Sequence, residues 1–279
     1  MNNTNTLIIL PAYNVEKEIC NLLYDMMDYR ADVIVIDDGS KDNTFQIANS
    51  LKFKVIKLEI NQGVANAIKV GINYAIERGY KNILLMDSDG QHSPKYINKF
   101  LDMLKDFDFI VGNRFNCTTL APDIKLGSNI LASIIVKKIV GEKFTDISCG
   151  FKAIKLSDDL CMALENSEGY SIVFDLFFYA LNHNYRIGTV DMEAIYDYST
   201  FLITRTTEIL AFISSLELHI SKELIANLGI RNLKNKVLEH KDFFYEIEDF
   251  KFYGFYIDEK NGYIIQSDPI KLRKYLSEG

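Results

Sequence analysis

The chain has 279 residues, 48% of them hydrophobic and 25% charged, an ordinary balance that supports a full buried core. A formal net charge of −7 removes any global electrostatic case for a nucleic-acid binder. No stretch approaches the roughly 20 uninterrupted apolar residues of a membrane span, and residues 130–140, the nearest candidate, are broken by Lys137 and Lys138.

The amino terminus is short and polar, without the charged-then-apolar layout of a signal peptide. Cys20, Cys117, Cys149 and Cys161 are scattered and form no Cys-x-x-Cys pair, which suits buried thiols in a reducing compartment. The expected location is cytoplasmic, free or peripheral on the inner membrane face.

In chain order, apolar runs at 7–10, 33–36, 53–58, 83–86 and 109–111 read as strands. Helical patterns at 16–29, 44–51, 64–78 and 94–105 lie between them. Asp42-Asn43-Thr44 supplies cap chemistry, Pro94 suits a first helical turn, and Gly79 suits a helix stop. Such alternation predicts an α/β fold: a mostly parallel sheet with helices on both faces.

Three strand ends carry chemistry: Pro11-Ala12-Tyr13-Asn14, Asp37-Asp38-Gly39-Ser40 and Asp87-Ser88-Asp89. In a parallel sheet they open onto one edge, where such folds place ligands. Tyr13 can flank a base, and Asp38 can accept hydrogen bonds from a base or ribose; a helix cap is the plainer role for the acidic turn at 37–40. No glycine-rich phosphate loop follows any strand, which argues against dinucleotide and NTPase sites.

The most informative stretch is 82–92, an apolar run ending in Asp87 and Asp89, with the amide of Gln91 two positions on. Two anions so close call for a hard cation, Mg²⁺ or Mn²⁺, completed by water and substrate phosphates. Asp106-Phe107-Asp108 has the same spacing but precedes a strand, so its carboxylates should only cap and solvate a turn. His92 stands beside the acidic strand end, where helix entry before Ser93-Pro94 is an equally good role.

Farther on, Arg114 leaves a strand end, to meet either an anion such as phosphate or one of those aspartates. Residues 116–123 read as a loop and 124–140 as an amphipathic helix. Asp146 precedes a glycine turn and a strand at 151–154, placed as a general base or to orient a neighbour. Residues 203–240 read as helical, and 243–265 as an aromatic β-hairpin turning at 258–262. The division expected is a main domain at 1–202 and an extension at 203–279. The hairpin's exposed face could pack on the main domain or on a second subunit, giving a homo-oligomer.

Taken in order, these motifs with Asn61-Gln62-Gly63, Gly112-Asn113-Arg114-Phe115 and Asp146-x-x-x-Gly150-Phe151 resemble family 2 glycosyltransferases. They are most similar to the dolichol-phosphate mannose/glucose synthase-like branch, over roughly residues 6–200. The resemblance implies a GT-A (Rossmann-like) fold and inverting sugar transfer from a nucleotide-sugar. It further implies that Pro11, Tyr13, Asn14, Ile36, Asp38 and Gly63 embrace the donor, with Ser88 beside the ribose. Asp87, Asp89 and Gln91 would hold the divalent metal. Arg114 and Ser128 would lie near an acceptor phosphate, and Asp146 near the reacting centre.

Departures from the pattern bear on the acceptor. Val15 stands where many relatives carry glutamate, with Glu16 adjacent, and Cys149 replaces a serine. Ile124 with Lys125 stands for an arginine, and a basic loop is matched only by 194–200, with Arg205 beyond it. The acceptor that the resemblance implies is therefore a polyprenyl phosphate or a glycan or glycolipid hydroxyl. The alternative is a nucleotide-sugar-binding scaffold without turnover.

Overall fold

The computed structural model describes residues 5–27, 29, 31–115, 123–193, 206–257 and 262–277. The chain forms two compact units. The first takes Met1–Gly112, Cys149–Ile172 and Tyr179–Val190; the second takes Asn113–Ser148, Val173–Phe178 and Asp191–Gly279.

The first unit is built on β1 (Thr6–Ala12), β2 (Asp32–Asp37), β3 (Lys54–Lys57), β4 (Asn82–Leu85), β5 (Phe109–Asn113), β6 (Lys152–Lys155) and β7 (Ile187–Asp191). They form one seven-stranded sheet in the order β3-β2-β1-β4-β6-β5-β7. β3, β2, β1 and β4 pair in parallel, while β6 runs antiparallel to both β4 and β5. Leu7, Ile8, Ile9 and Leu10 of β1 are all buried, as a strand covered on both faces requires. Ala12 lies opposite Asp37 and Ile9 opposite Leu85, so β1, β2 and β4 discharge their chemistry at one edge.

The helices are α1 (Glu16–Met26), α2 (Thr44–Ser50), α3 (Val64–Glu77), α4 (Ile97–Met103), α6 (Leu160–Ala163) and α7 (Ser171–Asn182), with α5 (Asp123–Val140) in the second unit. α7 lends its middle, Val173–Phe178, to the second unit. Gly71, inside α3, explains itself by contact: a Cβ there would sit 2.5 Å from the Ile9 side chain, so only glycine lets α3 lie this close to β1. The helix expected at 94–105 begins as a 3₁₀ turn, Pro94–Tyr96, before α4.

In the second unit α5 buries Ile130, Leu131, Ile134 and Ile135. The helical stretch near 203–240 divides into α8 (Thr206–His219), α9 (Lys222–Asn227) and α10 (Ile230–Leu238). Ser221 caps α9 by accepting from the Leu224 N–H, and Gly229, at φ +67°, lets the chain turn into α10.

The aromatic segment adopts three antiparallel strands, β8 (Phe243–Ile247), β9 (Phe250–Tyr256) and β10 (Tyr263–Gln266), in the order β10-β9-β8, followed by α11 (Pro269–Ser277). A turn at Glu248-Asp249, with Glu248 at φ +52°, separates β8 from β9 where a hairpin with one turn was expected; that expected turn, at 258–262, lies mostly outside the described residues. Gly127 of α5 meets the carbonyl of Ile265 in β10, a contact that leaves no space for a Cβ.

Among the described residues no helix is long and apolar enough to cross a membrane. Cys20 and Cys161 are free thiols, and Cys149 is buried. Cys117, the stretch 194–200, Arg205 and most of the expected loop at 116–123 lie outside the described residues.

Candidate active site

At the common edge of the first unit, the loop after β1 and the loop after β2 are cross-bonded. Asn14 N–H donates to Ser40 Oγ at 3.0 Å, and Lys41 N–H donates to Asn14 Oδ1 at 2.8 Å. Val15 N–H reaches Thr44 Oγ1 at 2.9 Å, and Glu16 N–H reaches Asp42 Oδ2 at 3.0 Å. Glu16 returns the bond, accepting from Asn43 N–H and Nδ2, both at 3.0 Å.

Asp42 therefore serves the first turns of α1 and α2 together, since its Oδ1 also accepts from the Thr44 N–H and hydroxyl. Partial burial pushes the Asp42 carboxyl up, but the bonds from Thr44 and Glu16 outweigh it and hold the group below its ordinary value. Asn14, at φ +52°, occupies the left-handed conformation that asparagine tolerates and this turn demands.

Asp38 is buried, and its two oxygens accept from the N–H groups of Gln62 and Gly63, each at 2.8 Å. It thus shapes the entry to α3, where Gly63 sits at φ +88°. Asp37 Oδ1 accepts from Ser40 N–H, while its buried Oδ2 has no hydrogen-bond partner among the described residues. Tyr13 is 41% exposed at this edge, and Ile36 is fully buried beneath it in β2.

β4 ends in the acidic turn. Ser88 Oγ donates to the Pro11 carbonyl at 2.5 Å, tying this turn to the end of β1. Gln91 N–H donates to Asp89 Oδ1 at 3.0 Å. Although solvent reaches Asp89, crowding by surrounding protein and the charge of Asp87 raise its carboxyl above the ordinary value. Gly150, in the turn before β6, presses on the Asp87 carboxylate: a Cβ there would lie 2.5 Å from Oδ2. The Asp87 N–H donates to Nδ1 of buried His92 at 3.1 Å.

This donor set fits a hard divalent cation. Two carboxylates one residue apart oppose each other's ionisation, a conflict that a bound cation relieves. Among the described residues no group of three or more His, Cys, Asp or Glu side chains forms a closed metal cage. A site of one or two carboxylates, completed by water and phosphate oxygens, is the usual arrangement for Mg²⁺. Asp87, Asp89 and Gln91 are the residues that would hold it.

The second Asp-x-Asp is resolved differently. Asp108 pairs with Lys155 at 2.6 Å and Arg186 at 3.0 Å, and these bonds hold its carboxyl well below the ordinary range. The protein itself supplies its cations, which the sequence separation of 47 and 78 residues had hidden.

In the second unit, Arg114 and Asp146 form a buried bidentate pair. Arg114 Nε meets Asp146 Oδ2 at 2.7 Å and Nη2 meets Oδ1 at 2.8 Å, while the Arg114 backbone N–H adds a third bond at 3.1 Å. Asp146 is 2% exposed. Ser148 Oγ accepts from Arg114 Nη2 at 3.1 Å and donates to Asn129 Oδ1 at 2.8 Å, linking the pair to α5 next to half-buried Ser128. Arg114 therefore meets an aspartate, Asp146, which the sequence reading had not offered as its partner. Ser148 and Asn129 carried no motif signal, because their link is a contact across 19 residues.

A model of glycosyl transferase family 2 matches residues 7–160. The chain is similar to a UDP-N-acetylglucosamine–dolichyl-phosphate N-acetylglucosaminyltransferase of Methanococcus voltae, at 30% identity over 68% of this chain and 85% of that one. It is similar also to a polyprenol monophosphomannose synthase of Mycolicibacterium smegmatis, at 26% identity over 66% and 75% of the two chains. In fold it resembles a Mycobacterium tuberculosis glucosyl-3-phosphoglycerate synthase solved with Mn²⁺, UDP and glucosyl-3-phosphoglycerate. There the TM-score is 0.58 at 16% identity, over 78% of this chain and 80% of that one.

Proposed function

The chain belongs to glycosyl transferase family 2, with a GT-A fold, and on that premise we propose that it moves a sugar from a UDP- or GDP-sugar to a polyprenyl phosphate, with inversion and with a divalent metal. One observation carries the choice of acceptor. The Asp146 carboxylate is taken up by Arg114 on both oxygens, so in this arrangement it is a poor base for an incoming hydroxyl. A phosphate acceptor arrives already ionised and requires no base. The two relatives named for dolichyl-phosphate and polyprenol chemistry support the same choice.

In this reading Tyr13 and the Asp38 turn receive the nucleoside, with Pro11, Asn14, Ile36, Gly63 and Ser88 forming the surface around it. Asp87, Asp89 and Gln91 hold Mg²⁺ or Mn²⁺, which when bound supplies positive charge to the diphosphate. A phosphate oxygen of the acceptor forms its bond to the anomeric carbon as the bond to the diphosphate breaks on the opposite face. The products are an inverted glycosyl phosphate and a nucleoside diphosphate, and no proton need move. Arg114, oriented by Asp146, and Ser128 are assigned to the acceptor phosphate. In this reading the lipid acceptor and the water-borne donor meet at the cytoplasmic face of a membrane, where the protein would act peripherally.

The test offers radiolabelled nucleotide-sugars and Mn²⁺ with either a polyprenyl phosphate or the matching free alcohol. Label should enter the lipid phase only with the phosphate. Transfer to the alcohol alone would move the acceptor to the hydroxyl class, and inertness across all donors and acceptors would leave a nucleotide-sugar-binding scaffold.

A further inference from the structure

His92 lies between the two turns that flank the candidate metal carboxylates, and its two ring nitrogens face one turn each. The Asp87 N–H donates to Nδ1 at 3.1 Å, which makes Nδ1 the accepting nitrogen here and leaves Nε2 for the opposite edge of the ring. That Nε2 lies 3.9 Å from the Cys149 sulfur, within reach of an N–H···S contact. Asp87 Oδ2 lies 3.5 Å from Nδ1.

The ring itself is immobilised. It is 3% exposed and packs on Phe151 at 5.4 Å between centroids, and Phe151 in turn stacks on Phe100 at 4.3 Å. The far turn is anchored separately, because buried Lys152 donates its Nζ to the Cys149 carbonyl. Gly150, the next residue, is the one pressed against the Asp87 carboxylate. One imidazole thus spans from the backbone of the first acid to the turn that bounds its side chain.

We propose that His92 is a positioning residue for divalent-metal binding, holding the acidic turn and the Cys149-Gly150 turn in register so that Asp87 presents its oxygens. The inference rests on the reading of Asp87 and Asp89 as metal ligands, and it extends that reading to a residue that touches neither metal nor substrate. Partners of this kind typically contribute 10- to 100-fold to metal affinity.

His92→Phe keeps the ring and its stacking on Phe151 but removes both nitrogens, leaving the Asp87 N–H unanswered. His92→Asn restores an oxygen acceptor near the position of Nδ1. Mn²⁺ binding in the presence of UDP is followed by the electron paramagnetic resonance signal of free Mn²⁺. UDP binding in EDTA is measured in parallel, well below each variant's melting temperature.

His92→Phe should weaken Mn²⁺ binding about 10- to 100-fold with metal-free UDP binding unchanged, and His92→Asn should recover most of the loss. Cys149→Ala, which cuts only the far end of the bridge, should weaken Mn²⁺ in the same direction by less. Wild-type Mn²⁺ affinity in His92→Phe would overturn the proposal, as would equal losses of Mn²⁺ and metal-free UDP binding, the mark of a merely structural role. If the wild type binds no Mn²⁺ with UDP, the metal reading itself fails, and the variants' behaviour is then irrelevant to it.

Discussion

Replacing Gly150 by alanine should separate metal binding from stability. A Cβ at this position would stand 2.5 Å from Asp87 Oδ2, 2.9 Å from Oδ1 and 3.0 Å from Cγ. Ordinary carbon–oxygen contacts are about 3.3–3.6 Å, so the carboxylate must retreat by roughly 0.8 Å or rotate. The retreat costs little folding energy, because the clash is with the end of a side chain and Gly150 is not among the positive-φ residues.

A displacement near 1 Å of a reacting or ligating group can cost about 100-fold. We therefore expect Mn²⁺ affinity with UDP present to fall about 10- to 100-fold, roughly 1.4–2.8 kcal/mol, with the melting temperature nearly unchanged. Isothermal calorimetry and thermal melting read the two quantities. Gly127→Ala is the converse control, since its Cβ meets the Ile265 backbone carbonyl and should lower the melting temperature without changing Mn²⁺ affinity. Unaltered Mn²⁺ affinity in Gly150→Ala would refute the placement of Asp87 as a ligand.

Three further outcomes can be checked. Asp89 has a raised carboxyl, so ionising it costs the folded state, and stability falls as pH rises through its folded value; Asp89→Asn should raise the metal-free melting temperature at pH 7 yet abolish stabilisation by Mn²⁺ with UDP. Asp108 is the opposite case: its lowered carboxyl contributes stability above the unfolded value of about 3.9 and loses it as pH falls below that, toward its folded value. Asp108→Asn should therefore flatten the acid limb of a melting-temperature profile and leave Mn²⁺ binding intact. Asp146→Asn breaks a buried ion pair and should cost about 3–5 kcal/mol in urea unfolding; loss of turnover with unchanged stability would instead make Asp146 the base.

Much of the fold was legible in local pattern. The apolar runs and their turn-forming ends located β1, β2, β4 and β5 to within two residues, since burial on both faces leaves little freedom in composition. The extra strand of the small sheet was not legible, because its turn uses Glu248 at φ +52° where glycine or asparagine would have been the signal. At the site, the order of the acids could be read but not their partners. Glu16 reads only as the first residue of a helix until Asn43, 27 positions away, is placed against it. The Arg114–Asp146 pair likewise joins residues 32 apart, and only folded geometry tells a charge held by the protein from one held for a ligand.

The bonds crossing between residues 14–16 and 40–44 have a consequence for motion. Because each segment caps the other, neither can peel away alone, and their backbone amides should exchange with solvent as a single cooperative block. The ordering entropy of that rim is settled when the chain folds, so a ligand docking there meets a finished surface and keeps more of its contact energy as affinity.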